Sequence, residues 1–186
     1  MNKIDISYAS KSEHNFAQRI LIKTIEQFTG KRKLQKLYSD FKKNNYEPLH
    51  FWTGILQTMN IKVLDKSSSG ISIPKEGSLI MIANHPFGII DGLVMCSLAS
   101  KVRSDFKIMT HETLRFAPEL DEYILPIDFN SNIRETIRKN IQTTKRAKEH
   151  LLRDGLLIIF PSGSVSVAKD LRSSAKDDEW KHFTAK

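Results

Sequence analysis

The chain has one cysteine, Cys96, in 186 residues. An internal disulfide is therefore excluded, and the expectation is a reducing compartment with Cys96 as a small buried hydrophobe. No apolar run approaches the roughly 20 residues that span a bilayer, and positions 1–12 lack the apolar core of a signal peptide. A cytoplasmic protein is expected. There is no internal repeat and no long low-complexity tract, which argues against a repeat architecture. His85, Asp91, His111 and Glu112 lack ligand spacing of the zinc type, so no metal is expected, and no bound cofactor is expected either. Helix-turn-helix, zinc-finger and RNA-recognition signatures are missing too, which makes nucleic acid an unexpected partner.

What is present suffices for one sizeable core: 40% of the residues are apolar. A single domain over 1–186 is expected, with a helical part at 1–60 and an α/β core at 61–186. The net charge of +8 calls for an anionic partner, such as a membrane surface, nucleic acid or a phosphate-bearing molecule, or else serves solubility.

Residues 16–28 carry Phe16, Ile20, Leu21, Ile25 and Phe28 at helical spacings and stop at Gly30, which predicts an amphipathic helix. A second pattern opens at Lys31-Arg32-Lys33 and carries Leu34, Leu37, Tyr38 and Phe41, followed by Lys42 and Lys43. A third, over 49–59, holds Phe51, Trp52, Ile55, Leu56 and Met59. Lys31, Arg32, Lys33, Lys36, Lys42 and Lys43 lie close to an apolar stripe, the pairing that favours an interfacial helix on anionic lipid. Lysines on a helix face are more often simply solvated.

Beyond this region strand and helix patterns alternate. Strands are predicted at 61–64, 79–83, 106–109, 124–127 and 156–160, a loop at 66–70, a turn at 74–77, and helices at 92–98 and 133–153. The order predicts an α/β sandwich with a mixed, largely parallel sheet behind an N-terminal helical region.

Two strand-to-turn segments carry the chemistry. After Leu79-Ile80-Met81-Ile82-Ala83 comes Asn84-His85-Pro86-Phe87-Gly88-Ile89-Ile90-Asp91-Gly92, which sets a histidine and a carboxylate at a strand mouth. A carboxylate on Nδ1 leaves Nε2 free to take a proton from a hydroxyl, so His85 and Asp91 read as a dyad. Gly88 and Gly92 read as turn residues with positive φ, and a glycine near the base also lets a substrate approach closely. Asn84 reads as the cap of the next helix, with oxyanion donation as its other role. The second segment is Leu156-Leu157-Ile158-Ile159-Phe160-Pro161-Ser162-Gly163-Ser164-Val165-Ser166.

In these segments and in Leu125-Pro126-Ile127-Asp128 the chain resembles the glycerolipid acyltransferase superfamily. The closest likeness is the bacterial branch with Asn-His-Pro-x-Gly-x-x-Asp-Gly, which includes ornithine-lipid and other aminoacyl-lipid O-acyltransferases and hemolysin-like proteins. The resemblance runs from about Phe16 to the last residue. It implies lipid biosynthesis at the inner membrane face, with a fatty acyl group moved from acyl-CoA or acyl carrier protein to the hydroxyl of a lyso-type lipid, lyso-aminoacyl lipid or lysophospholipid. His85 would be the base and Asp91 its orienting partner, with Asn84, Gly88, Phe160, Pro161, Ser162, Gly163 and Ser164 binding substrate. Five residues separate His85 from Asp91, as in that branch, where the wider superfamily has four. Ser162 and Ser164 stand where many relatives carry Glu. The chain ends at Lys186, soon after Trp180, where relatives continue through further strands and a fourth motif, which implies an incomplete core.

Two other readings compete. A serine hydrolase would use Ser162 or Ser164 with His85 and Asp91, but the Gly-x-Ser-x-Gly elbow is missing and the chain order is His, Asp, Ser. A basic, non-enzymatic module binding nucleic acid or membrane would use the net charge alone.

Overall fold

A computed structural model describes residues 39, 48–64, 66, 72–111, 118–128, 133–168 and 173–180. Apart from Ser39, these belong to one compact unit, Pro48–Lys186. The two helices predicted ahead of residue 44 lie outside the described residues, Ser39 excepted, as does most of the predicted loop at 66–70.

The elements are α1 (Pro48–Thr58), β1 (Leu79–Ile82), α2 (Ile89–Ser100), β2 (Phe106–His111), a 3₁₀ helix (Pro118–Tyr123), β3 (Ile124–Ile127), α3 (Ile133–Leu151) and β4 (Leu156–Ile159). The strands form one sheet in the order β1-β4-β2-β3. Every pairing is parallel, with Leu79 opposite Leu156, Phe106 also opposite Leu156, and Ile108 opposite Ile124. The expected α/β architecture is present; of the mixed sheet only the parallel part exists among the described strands. Residues 61–64 form no strand: Val63 and Leu64 stay exposed, so no packing offsets the cost of ordering them there.

All four residues of β4 are buried. An interior parallel strand is covered on both faces, which is why Leu156-Leu157-Ile158-Ile159 is continuously apolar and not alternating. On one face Leu157 and Ile159 join Leu125 and Ala147, with Met109 and Leu151 packed against them. β1 is at the edge among the described strands, and its Ile80 and Ile82 are exposed. Behind α2 lies α1, whose Phe51 and Trp52 are buried; Trp52 meets Phe106 and Tyr123 edge-on at 6.1 and 6.0 Å. The thiol of Cys96 is buried in α2, and desolvation pushes its pKa up, so it behaves as the small hydrophobe expected.

Polar side chains dock α3. Asn140 exchanges two hydrogen bonds with the backbone of Asp128, both 2.9 Å, and the Thr143 hydroxyl donates to the Pro126 carbonyl at 2.7 Å. This explains how so charged a helix packs on a sheet: its inner face supplies the partners that the end of β3 needs.

The N-terminal ends of the strands are tied by Arg103. Its side chain is 3% exposed. It forms a bidentate pair with Asp105 at 2.8 and 2.6 Å and donates to the carbonyls of Gly77, at 2.7 Å, and Asp154. Three segments entering the sheet are thereby joined through one planar fork.

Gly155, just before β4, allows the His150 ring to close over the backbone, where Nε2 donates to the Leu156 carbonyl at 3.1 Å. A methyl group on Gly155 would overlap that ring. Gly155→Ala is expected to destabilise the fold by about 1–3 kcal/mol, the range for overpacking. His150→Ala should then cost less in the Gly155→Ala background than in the wild type, because the clash is gone. Urea unfolding of the four proteins measures this, and strict additivity would show that the two residues do not compete for the space.

Candidate active site

The opposite, C-terminal ends of the strands carry the candidate site. After β1 the chain turns at Gly88, whose φ of 61° and ψ of −124° suit glycine and strain other residues. A Cβ there would meet Val165 Cγ2 at an ordinary 3.6 Å, so the backbone angle and not lack of space asks for glycine. α2 then begins, with the Gly88 carbonyl accepting from the Asp91 N–H at 3.1 Å. Gly88 itself is the N-cap and no side chain caps the helix. Asn84 is therefore not the cap expected: it is exposed and lies four positions earlier. Gly92 is not a turn residue either. It lies within α2, where an added Cβ would meet only Ile108, at an ordinary 3.6 Å.

Asp91 sits in the first turn of α2, where the helix dipole favours a carboxylate. Its Oδ2 lies 3.1 Å from His85 Nδ1 and accepts from the Phe87 N–H at 2.8 Å. A carboxylate only accepts, so Nδ1 donates and the neutral ring keeps its lone pair on Nε2. The two side chains are 18% and 13% exposed. The ring of Phe160 stacks on His85 at 4.1 Å and 21°, so the imidazole is held by its edge and by its face.

Phe160 brings in the second segment. The turn after β4 closes with the Gly163 N–H donating to the Phe160 carbonyl at 3.0 Å, and Gly163 takes a φ of 71°. Pro161 is buried, and Ser162 is 2% exposed with its hydroxyl donating to the Ser164 carbonyl at 2.8 Å. The Ser164 hydroxyl donates to Asp178 Oδ2 at 2.7 Å. A carboxylate thus stands beside the serines of this turn, supplied from a later part of the chain. The Ser166 N–H donates to the His85 carbonyl at 2.9 Å, joining the two segments through their backbones.

Residues missed by the sequence reading lie in 173–180, where Val167 and Lys176 exchange backbone hydrogen bonds of 3.0 and 3.1 Å in an antiparallel bridge. Next to it, Asp177 accepts from the His85 N–H at 3.1 Å, from the Ser166 hydroxyl, and from the Trp180 indole N–H at 3.1 Å. Burial works against its ionisation, but these hydrogen bonds outweigh it and hold the carboxyl below the usual carboxylate range. In sequence Asp177 is one acid in a charged stretch, Lys176-Asp177-Asp178-Glu179, and nothing there separates it from a solvated surface group.

The assembled site is a histidine with a fixed tautomer, beside a glycine turn and a serine-rich turn at the carboxyl ends of a parallel sheet. Such a group can take a proton from a hydroxyl as that oxygen attacks a carbonyl. A protein-family model described as Acyltransferase matches residues 67–178, more than half of the sequence and the whole of this site but for Trp180. The chain belongs to this family, within the glycerolipid acyltransferase superfamily. No curated protein and no solved structure matches it. The protein is an acyltransferase, an enzyme that uses an acyl donor and a lipid acceptor.

Proposed function

We propose that the enzyme moves a fatty acyl group from acyl-CoA or acyl carrier protein to the hydroxyl of a lyso-type lipid, with His85 as general base. The observation that carries this reading is the His85 Nδ1 to Asp91 Oδ2 hydrogen bond of 3.1 Å, with the ring stacked on Phe160. His85 Nε2 takes the hydroxyl proton as the oxygen attacks the thioester carbonyl, Asp91 stabilises the imidazolium that forms, and collapse of the tetrahedral intermediate expels the thiolate, which leaves as the thiol. Backbone N–H groups and Asn84 stabilise the oxyanion. Gly88 leaves room for the donor, and Phe160, Pro161, Ser162, Gly163 and Ser164 shape the acceptor side. The Asn-His-Pro-x-Gly-x-x-Asp-Gly spacing favours a lyso-aminoacyl lipid of the ornithine or glycine type as acceptor, with lysophosphatidate as its rival.

A serine nucleophile fits the geometry less well. Its hydroxyl should meet the base, whereas Ser162 donates to Ser164 and Ser164 to Asp178. The basic non-enzymatic module is set aside by family membership. An acyl-transfer assay with both carrier types and a panel of lyso-lipids tests the reading. Acylated lipid and free thiol are the expected products, and free fatty acid as sole product would favour the hydrolase.

The proposed place of action is the inner membrane face, reached through the basic segment of Lys31, Arg32, Lys33 and Lys36. Each such residue near an anionic surface contributes about 1 kcal/mol, so reversing the first three to Glu should nearly eliminate binding to anionic vesicles. Flotation of the wild type and of the Lys31→Glu, Arg32→Glu, Lys33→Glu protein checks this. Equal flotation of both would refute the membrane role of that segment.

A further inference from the structure

His85 is held by more than its side chain. Its carbonyl accepts from the Ser166 N–H and its own N–H donates to Asp177, so the peptide groups on either side of its Cα are anchored to the serine-rich segment and to residues 173–180. Asp177 is the common point. Its Oδ1 receives both the His85 N–H and the Ser166 hydroxyl, and Oδ2 receives the indole N–H of Trp180. His85, 92 positions away, and Ser166, 11 positions away, thereby converge with the neighbouring Trp180 on one carboxylate. The antiparallel bridge between Val167 and Lys176 holds the approaching strand segment in place.

We infer that Asp177 is a positioning residue: it fixes the backbone of His85 against Ser166 so that the imidazole stays seated between Asp91 and Phe160. The inference rests on the reading of His85 as the base. The physical reason is that the side-chain contacts orient the ring only relative to a Cα whose own place must be set. Before Gly88 the loop has no regular structure to set it. A displacement near 1 Å at a reacting group can cost about 10²-fold in rate. Trp180 has a supporting part, since its indole occupies Oδ2 and leaves Oδ1 to the two donors from the site.

The substitutions make different demands on the two oxygens. Asp177→Ala removes every acceptor. Asp177→Asn can keep Oδ1 for His85 and Ser166 but sets an amide N–H₂ against the Trp180 N–H, and Trp180→Phe in the same protein removes that conflict. The test uses the full chain, with palmitoyl-CoA and palmitoyl acyl carrier protein as donors and oleoyl-lysophosphatidate and lyso-ornithine lipid as acceptors. It is run beside hydrogen exchange of the His85 amide, which needs no turnover. Asp177→Ala is expected to lower kcat by about 10- to 10²-fold with little change in acceptor KM, and to speed exchange of the His85 amide by about tenfold or more. Asp177→Asn combined with Trp180→Phe should recover most of both, and more than Asp177→Asn alone. Unchanged exchange and kcat in Asp177→Ala would overturn the inference. So would a loss that tracks melting temperature equally across all variants, the mark of a merely structural role. His85→Ala with full activity would instead overturn the underlying reading, whatever Asp177 does.

Discussion

His85→Ala is expected to lower acyl transfer by about 10²- to 10⁴-fold, the usual contribution of a general base, while the protein stays folded. The fold should survive because the side chain lies at the strand ends, 18% exposed, and outside the core cluster of Leu125, Ala147, Leu157 and Ile159. What is lost is the stacking on Phe160 and the bond to Asp91, and the backbone bonds of residue 85 to Ser166 and Asp177 do not involve the imidazole. A melting temperature within a few degrees of the wild type follows, since about 1 kcal/mol shifts a domain of this size by roughly 2–4 °C. Steady-state rates and a thermal melt on the same preparation check both halves. A folded His85→Ala enzyme turning over near the wild-type rate would remove the base from the mechanism.

Asp91→Asn should lower kcat by up to about 10⁴-fold, the scale seen when the carboxylate of a Ser-His-Asp triad becomes an amide. The geometry makes this variant informative, because the Phe87 N–H and His85 Nδ1 meet the same oxygen, Oδ2. An amide oxygen placed there can accept from both, so the loop and the ring keep their places. Only the negative charge that stabilises the imidazolium goes. If Asp91 served only to tie the loop through Phe87, Asn would work nearly as well as Asp. A kcat close to the wild type would therefore assign Asp91 to the loop alone, whereas a large fall in kcat with retained fold assigns it to the chemistry.

The parts legible in sequence are those governed by local chemistry. The four consecutive apolar residues of β4 announce a strand covered on both faces, and 124–127 was readable with the same bounds it has in the sheet. The helical periodicity of α1 and α3 survived with boundaries moved by one or two residues. The spacing from His85 to Asp91 made the dyad legible because both partners lie within one turn and the first helical residues after it. Local reasoning failed where the outcome depended on neighbours. Val63 and Leu64 have strand-like character but no strand to pair with among the described residues, Asn84 is a good cap residue at a position where no helix starts, and Gly92 is a glycine that a helix tolerates.

By itself the sequence determined the α/β class, the single thiol's burial and the pairing of a histidine with a nearby carboxylate, because each depends on periodicity or on residues a few positions apart. Only the tertiary structure decided the strand order β1-β4-β2-β3, the joining of three strand entries by Arg103, the stacking of Phe160 on His85 and the meeting of Asp177 with the His85 backbone. These are contacts between distant segments, and their partners are chosen by which faces must be buried and which backbone groups must be satisfied once the sheet has formed.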